Sequence, residues 1–170
     1  MVEKPSLVAP YFLESEDQIE IREGYSDSDD CPWGFKHQGI DFFPLNDLVP
    51  IRAVFQGTVT DVRYSPNEHS GNIQVNLTLN FNSIYSAQYA FEPMVRDQEI
   101  GKKQLEKMLV KKGTRVKSGD VLGYLVRPNS DAHIDFSLQK LFKSICPEEY
   151  FDTQSKKSIL EIMNTDKMCF

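Results

Sequence analysis

Alternation of apolar and polar residues dominates the middle of the chain. Apolar side chains occupy every second position of the segment 73–80, at Ile73, Val75, Leu77 and Leu79. A period of two residues predicts a β-strand with one buried face. Similar patterns predict strands over residues 49–55, 58–62, 85–91, 115–116, 121–126 and 132–138, with one or two short strands around residues 11–13 and 19–21. The chain is therefore expected to be mainly β.

Two segments have a helical period instead. Between Asp97 and Lys112, the apolar positions 100, 105, 108 and 109 lie near helical spacing among many lysines and glutamates, and Gly113 is a plausible helix end. A second helix is predicted over residues 156–163, where the apolar positions 159, 160, 162 and 163 share one side.

Composition restricts the class of protein. The chain has 170 residues with 19 Lys and Arg against 25 Asp and Glu, a net charge of −6. Nucleic-acid backbones are bound by clustered basic charge, so no nucleic-acid partner is expected. No apolar stretch is long enough to span a bilayer. No signal peptide is visible, which predicts a cytoplasmic protein, or an extracytoplasmic one if the sequence has been trimmed.

The three cysteines match no metal-binding pattern. They stand at Cys31, Cys146 and Cys169, an odd number at unrelated spacings. Such usage suits a reducing compartment at least as well as a disulfide framework.

The candidate chemistry lies in two short segments that each hold a histidine and an aspartate. His37 and Asp41 are four residues apart, and His133 and Asp135 are two apart. On extended chain both spacings place the two side chains on one face. If the two strands are neighbours, two imidazoles and two carboxylates converge, and a hydrolytic zinc site needs three such ligands and an open position. The other interpretation is that each pair only forms ordinary hydrogen bonds.

The order of five segments resembles the M23 (lysostaphin/LytM-type) zinc metallopeptidases. The first metal motif of that family is similar to Lys36–Phe42, and the strand after it to Val49–Val59. Its later glycine turns and proline turn are similar to Gly71–Val75, Lys112–Gly123 and Ile145–Phe151. The resemblance extends over residues 33–151. It implies an antiparallel β-sandwich-like domain of the duplicated hybrid motif type, with residues 1–32 as an N-terminal extension packed on it and residues 152–170 as a C-terminal helical tail.

The resemblance also assigns roles to single residues. His37 and Asp41 occupy the places of two zinc ligands. Asp135 stands where the family has its third ligand, a histidine, and His133 stands where the family has the first histidine of the same motif. Phe91 is the best match for a further histidine, which helps to stabilise the reaction intermediate. A phenylalanine can neither bind metal nor donate a hydrogen bond.

These departures lead us to expect a degenerate site. The predicted function is a binding or regulatory module that holds a peptide- or glycan-like ligand or a protein partner in the former catalytic cleft. The alternative is a metal-dependent hydrolase with His37, Asp41 and Asp135 as ligands of zinc or another divalent metal, bound weakly, and His133 as general base. A structural subunit that docks through its tail helix is a third possibility. The helical insertion near residues 97–112 has room to cap the cleft.

Overall fold

Most of the alternating segments form one curled antiparallel sheet, in which hairpin neighbours alternate with pairs that are remote in sequence. The computed structural model describes residues 2–170. Its strands are β1 (Ile19–Ile21), β2 (Ile40–Pro44), β3 (Pro50–Arg52), β4 (Gly57–Pro66), β5 (Ile73–Asn80), β6 (Tyr85–Glu92), β7 (Arg115–Val116), β8 (Val121–Tyr124), β9 (His133–Lys140) and β10 (Lys143–Ile145). The large sheet has the order β1-β2-β9-β6-β5-β4-β7, with β10 paired to β9, and β3 pairs with β8 separately. The expected mainly β fold is confirmed.

One face of this sheet carries the core. On β5 the apolar side chains of Val75, Leu77 and Leu79 are fully buried, while the polar residues between them face outward. Tyr89 and Phe136 meet in the same layer with ring centroids 5.4 Å apart. The buried phenol of Tyr89 accepts a hydrogen bond of 2.9 Å from the backbone amide of Val54. The small sheet is therefore attached to the core side of the large one, and the opposite face stays polar.

The N-terminal segment is buried beneath the C-terminal helix α2 (Thr153–Met163). Ala9 donates its backbone N–H to Ser155 Oγ at 2.8 Å, and the Tyr11 hydroxyl is hydrogen-bonded to Ser158 Oγ at 2.8 Å. Ile159 on α2 is fully buried. The apolar side of the tail helix therefore packs within its own chain, which removes the reason for expecting a structural subunit. The division into residues 1–32, 33–151 and 152–170 stays a prediction.

Residues 11–13 do not form the expected strand. Tyr11 is buried as an isolated anchor, and a 3₁₀ segment begins at Leu13 and ends at Gln18. The strand that does form here, β1, contains the alternating pair Ile19 and Ile21. A second short 3₁₀ segment, Glu148–Tyr150, precedes α2.

Helix α1 (Gln98–Glu106) is shorter than its apolar pattern predicted. Asp97 caps it by accepting a hydrogen bond from the Glu99 amide. Its buried residues are Gly101 and Gln104, whereas Leu105 is exposed. The predicted apolar stripe is therefore not the packed face. Helix α1 instead contacts the sheet at Gly101, because the absence of a side chain there lets the helix approach closely.

The position of α1 also shows that the cap hypothesis is wrong. The helix contacts β4 and β5. A Cβ atom on Gly101 would overlap Tyr64 and Ile73. Tyr64 packs against the core, and Ile73 lies on the same buried face of β5 as Val75. The Gln104 amide then joins α1 to the end of β8, donating to Tyr124 O at 2.9 Å. Since α1 lies on the core side, it cannot cover the polar face.

Two of the three cysteines are joined. Cys146 and Cys169 form a disulfide across 23 residues of sequence, with Cα atoms 6.0 Å apart, and Cys31 is free. The sequence left both a reducing compartment and a disulfide open, and the structure shows the disulfide, because the chain after α2 turns back to the sheet edge. That return could not be read from cysteine spacing.

Neither helix between residues 2 and 170 has the length and apolar character required to span a membrane.

Replacing Gly101 by alanine is expected to lower the free energy of unfolding by about 1–3 kcal/mol, because the new methyl group forces α1 away from Tyr64 and Ile73. Urea unfolding measures the change. The exposed neighbour Lys103→Ala is the control and should stay within about 0.5 kcal/mol of the original protein. If Gly101→Ala stabilised the protein, as it would in a solvent-exposed helix, the proposed packing of α1 would be wrong.

Candidate metal centre

The pairing of β2 with β9 brings the two His/Asp segments together. Ile40, Asp41 and Phe42 pair with Phe136, Asp135 and Ile134, so the two aspartates stand directly opposite one another. Residues in register on antiparallel strands have side chains about 5 Å apart on the same face. The expected convergence of the two segments is therefore present, and Asp41 is at its centre.

His37 presents one ring nitrogen to Asp41. Its Nδ1 lies 2.8 Å from the carbonyl oxygen of Gly24, and a carbonyl can only accept, so Nδ1 carries the proton. In a neutral ring Nε2 then has a free lone pair, and it lies 3.3 Å from Asp41 Oδ1. This is the arrangement in which a histidine commonly binds a metal, with its other nitrogen held by the backbone.

His133 is oriented in the same way. Its Nδ1 donates to the carbonyl oxygen of Asp131 at 2.7 Å, and its ring lies 4.9 Å from the Phe43 ring. Its Nε2 is 3.8 Å from Asp41 Oδ2. Both imidazoles therefore point Nε2 at the same carboxylate from opposite sides.

The two aspartates are buried with unsatisfied oxygens. Asp41 Oδ1 and Asp135 Oδ1 are inaccessible to solvent and accept no hydrogen bond. Burial, followed by the charge of Asp41, raises the pKa of Asp135 to about 7. A buried carboxylate without a donor is costly unless a cation compensates it. His37, Asp41 and Asp135 offer ligand atoms that all lie within 4.8 Å of one another, so these three residues fit a divalent metal.

Gly39 allows Asp135 to approach β2. A Cβ at position 39 would overlap the Asp135 carboxylate and press on Phe136 O. The glycine inside the His37–Asp41 segment is therefore required by close packing against β9. It leaves the space that the Asp135 carboxylate occupies.

Phe91 does not lie in the site. Its side chain is fully buried in the core, on the face of β6 that also carries Tyr89. The neighbouring Glu92 faces the site instead, paired with His133 across the strands, with Oε2 3.9 Å from His133 Nε2. The period-two pattern of β6 contained this information, because Phe91 continues the run of apolar alternate positions. Sequence reasoning therefore missed Glu92.

Glu23 is a second carboxylate that the sequence did not reveal. Its backbone oxygen accepts the Asp41 amide at 3.0 Å. Burial, and then the charge of Asp41, raises the pKa of Glu23; the same two causes raise that of Glu92, although the charge of His133 partly offsets them there. Four carboxyl groups and two imidazoles thus share one region, and this excess of negative charge favours a bound cation.

The cluster opens into a polar depression on the outward face of the sheet, called here the polar furrow. It is a cavity of about 320 Å³ over β4, β5, β6 and β9. Residues that line it include Asn76, Thr78, Gln88, Glu92 and Asp135. By contrast, His69 is exposed in the turn after β4 and lies outside the cluster.

Comparison with known proteins identifies the fold of the chain. No protein-family model matches the chain, and no curated protein matches its sequence. The structure is similar to a zinc-containing peptidase from Vibrio cholerae (TM-score 0.57, 21% identity, 84% of this chain and 39% of that chain). It is also similar to a mutant of the catalytic domain of the prophage-encoded M23 protein EnpA from Enterococcus faecalis, with a TM-score of 0.58 and 20% identity over 84% of this chain and 96% of that chain. A third similar structure is lysostaphin, with a TM-score of 0.58 and 22% identity over 86% of this chain and 56% of that chain.

The chain therefore has the M23 peptidase fold, as its motifs implied. It spans well under two thirds of the Vibrio peptidase and of lysostaphin, and nearly all of the EnpA catalytic domain. At these identities the similarity establishes architecture only.

In metal-free protein, stability should fall as the pH rises. Burial alone would lower the pKa of His37, but the Asp41 carboxylate outweighs it and raises the pKa from 6.5 to about 9. A group whose pKa is higher in the folded state stabilises the fold fully at pH values below its unfolded-state pKa. This stabilisation is lost as the pH rises through the folded-state pKa. The His37 contribution should therefore disappear between pH 6.5 and 9. The Asp135 contribution should already be lost between pH 3.8 and 7.

Urea unfolding in the presence of a chelator, repeated across this pH range, measures the effect. His37→Gln should flatten the decrease between pH 6.5 and 9, and the exposed His69→Gln should leave it unchanged. A free energy of unfolding that rises over that interval would contradict the assigned charge state of the cluster.

Proposed function

We propose that this domain is a divalent-metal-dependent hydrolase that cleaves amide bonds in peptides. The observation that supports it most directly is the convergence of His37, Asp41 and Asp135, whose ligand atoms all lie within 4.8 Å of one another. Asp135 Oδ1 is buried and has no hydrogen-bond donor, which a site built only for hydrogen bonding would supply. The M23 fold and the zinc-containing neighbour agree with this interpretation.

His37, Asp41 and Asp135 would hold the metal. When bound, such a metal lowers the pKa of a coordinated water and polarises the carbonyl that is attacked. Two carboxylates and one imidazole neutralise a divalent ion, so this set polarises water less strongly than a set with two histidines. Oxygen ligands also accept Mn²⁺ or Mg²⁺ more readily. We therefore infer a site of modest affinity that zinc can occupy.

His133 would act as the general base. Its Nε2 has a free lone pair because Nδ1–H is held by Asp131 O. In hydrolysis the water oxygen bonds to the carbonyl carbon, the carbon–nitrogen bond breaks, and the proton taken up at His133 Nε2 passes to the leaving amine. The carboxylates of Asp41 and Glu92, 3.8 and 3.9 Å from Nε2, stabilise the imidazolium formed on the way.

The disulfide bears on where the protein works. Cys146–Cys169 would persist in an oxidising compartment and would be reduced in a typical cytosol. We infer an extracytoplasmic location, which is one of the two locations that the sequence left open.

A second candidate function is ligand binding without turnover. Glu92 favours it, because a carboxyl group beside His133 repels a developing oxyanion whenever it is ionised. Removing one donor to an oxyanion typically costs on the order of 10²–10³ in rate. The two functions share the metal and differ in whether a bound peptide is cleaved.

Metal analysis tests the ligand set. Protein incubated with Zn²⁺ or Mn²⁺ and then dialysed should retain about one ion per chain by elemental analysis. His37→Ala and Asp135→Ala should reduce retention to background while circular dichroism shows a folded protein. His69→Ala is the matched control and should retain the ion. Equal retention by all four proteins would place the metal elsewhere.

Hydrolysis of a fluorescence-quenched glycine-rich peptide separates the two functions. A hydrolase should cleave it in the presence of metal, lose activity with chelator, and slow by about 10²–10⁴-fold in His133→Ala with the metal still bound. Metal retention without any cleavage would favour the binding function.

A further inference from the structure

A second cavity lies on the same sheet face at the end away from the metal cluster. This distal cavity has a volume of about 390 Å³ and lies between the β5–β6 turn and the β9–β10 turn. Leu141 N donates to Ile84 O at 2.8 Å, which joins the two turns. Thr78 and Gln88 line both the distal cavity and the polar furrow, so the two depressions are continuous.

The turn that borders the distal cavity has an unusual sequence. Leu141 and Phe142 are the two residues between the paired positions Lys140 and Lys143, and both have positive φ, 49° and 65°. Two-residue hairpins with positive φ at both positions strongly favour Asn-Gly. Bulky residues are strained in this conformation. Bulky residues kept in a turn that strains them are a reason to look for a function.

The same turn exposes apolar surface that folding does not use. Phe142 is 93% exposed and Leu141 is 59% exposed, and both border the distal cavity. An aromatic ring at the rim of a cavity can contact a ligand, and its two rotatable bonds limit the conformational freedom lost on binding. The β9–β10 turn thus combines a strained backbone at Leu141 and Phe142 with an exposed aromatic ring.

The lining of the distal cavity is uncharged and combines polar with apolar groups. Asn80, Ser86, Gln88 and Gln139 supply amides and a hydroxyl, Ile84 and Tyr85 add apolar surface, and no Asp, Glu, Lys or Arg lines it within the described residues. Amides and hydroxyls both donate and accept hydrogen bonds. A charged ligand would find no counter-charge there, and a wholly apolar ligand would leave these groups without partners.

A peptide bound by strand addition does not fit this face. Strands β5, β6 and β9 are interior strands with partners on both sides, so their backbone groups are already paired. An added peptide strand needs a free sheet edge. The face therefore offers side chains only, arranged around one aromatic ring.

We propose that the distal cavity is a binding subsite for a neutral oligosaccharide. The sugar hydroxyls exchange hydrogen bonds with the amide and hydroxyl side chains, and the apolar face of a sugar ring packs on Phe142. This subsite requires no metal and does not depend on the hydrolytic function proposed above.

The test is a titration followed by two-dimensional NMR in the presence of chelator. The probes are the β-1,4-linked tetramers of N-acetylglucosamine and of glucose, each at millimolar concentration. At least one probe should shift the backbone amides around residues 80–88 and 139–142. Phe142→Ala should weaken the binding by about tenfold or more, the order expected for losing one stacked ring.

The control is Leu48→Ala, which removes another exposed apolar side chain, 79% exposed, from outside both cavities. It should leave the probe affinity unchanged. The proposal is overturned if neither tetramer shifts these amides, if Phe142→Ala binds as well as the original protein, or if the shifts depend on protein concentration rather than on sugar. Because chelator is present throughout, failure here leaves the metal-site experiments unaffected.

The double variant Leu141→Asn with Phe142→Gly guards against loss of binding through misfolding. It installs the residues that this turn geometry favours, so its thermal unfolding temperature should rise. Sugar binding should nevertheless be lost. A variant that is more stable and still binds the tetramer equally well would show that the turn has no role in recognition.

Discussion

The antiparallel pairing of β2 with β9 is the constraint on which the site depends. It sets Asp41 opposite Asp135 in a buried place where neither Oδ1 has a hydrogen-bond donor. Two carboxylates in this position repel one another, and the raised pKa of Asp135 expresses that repulsion together with burial. A cation between them removes the conflict. The register of two strands thus creates a local need for positive charge.

The surrounding structure preserves this arrangement. Carbonyl oxygens of Gly24 and Asp131 fix the two imidazoles so that both Nε2 atoms face inward. The absent side chain of Gly39 gives Asp135 its space. In the metal-free protein a protonated His37 offsets the charge of Asp41, while Asp135 Oδ1 keeps no hydrogen-bond partner. The fold therefore orients the cluster and leaves Asp135 unsatisfied, which is the condition expected of a binding site.

The two faces of the large sheet have different roles, one in packing the core and the other in forming the candidate binding sites. One side is filled by the core, the small sheet and α1, while the other side carries the metal cluster, the polar furrow and the distal cavity. Because alternate residues of each strand point to opposite sides, stability and recognition are assigned to different residues of the same strands. Phe91 and Glu92 illustrate this: one anchors the core and the next faces His133.

Sequence alone indicated most of the strands, the two helices and the M23-type fold, because period-two alternation and the order of glycine turns are local signals. It also predicted a strand at residues 11–13 that does not form, and it did not predict β10. It also identified His37, Asp41, His133 and Asp135, since their spacing fixes which face each side chain takes. Tertiary structure decided what depends on neighbours remote in sequence. Glu92 meets His133 only through the β6–β9 pairing, α1 lies on the core side because Gly101 permits close contact, and Cys169 reaches Cys146 only after the chain returns past α2. Local patterns determine which face a residue takes, and only the packed chain determines what stands opposite it.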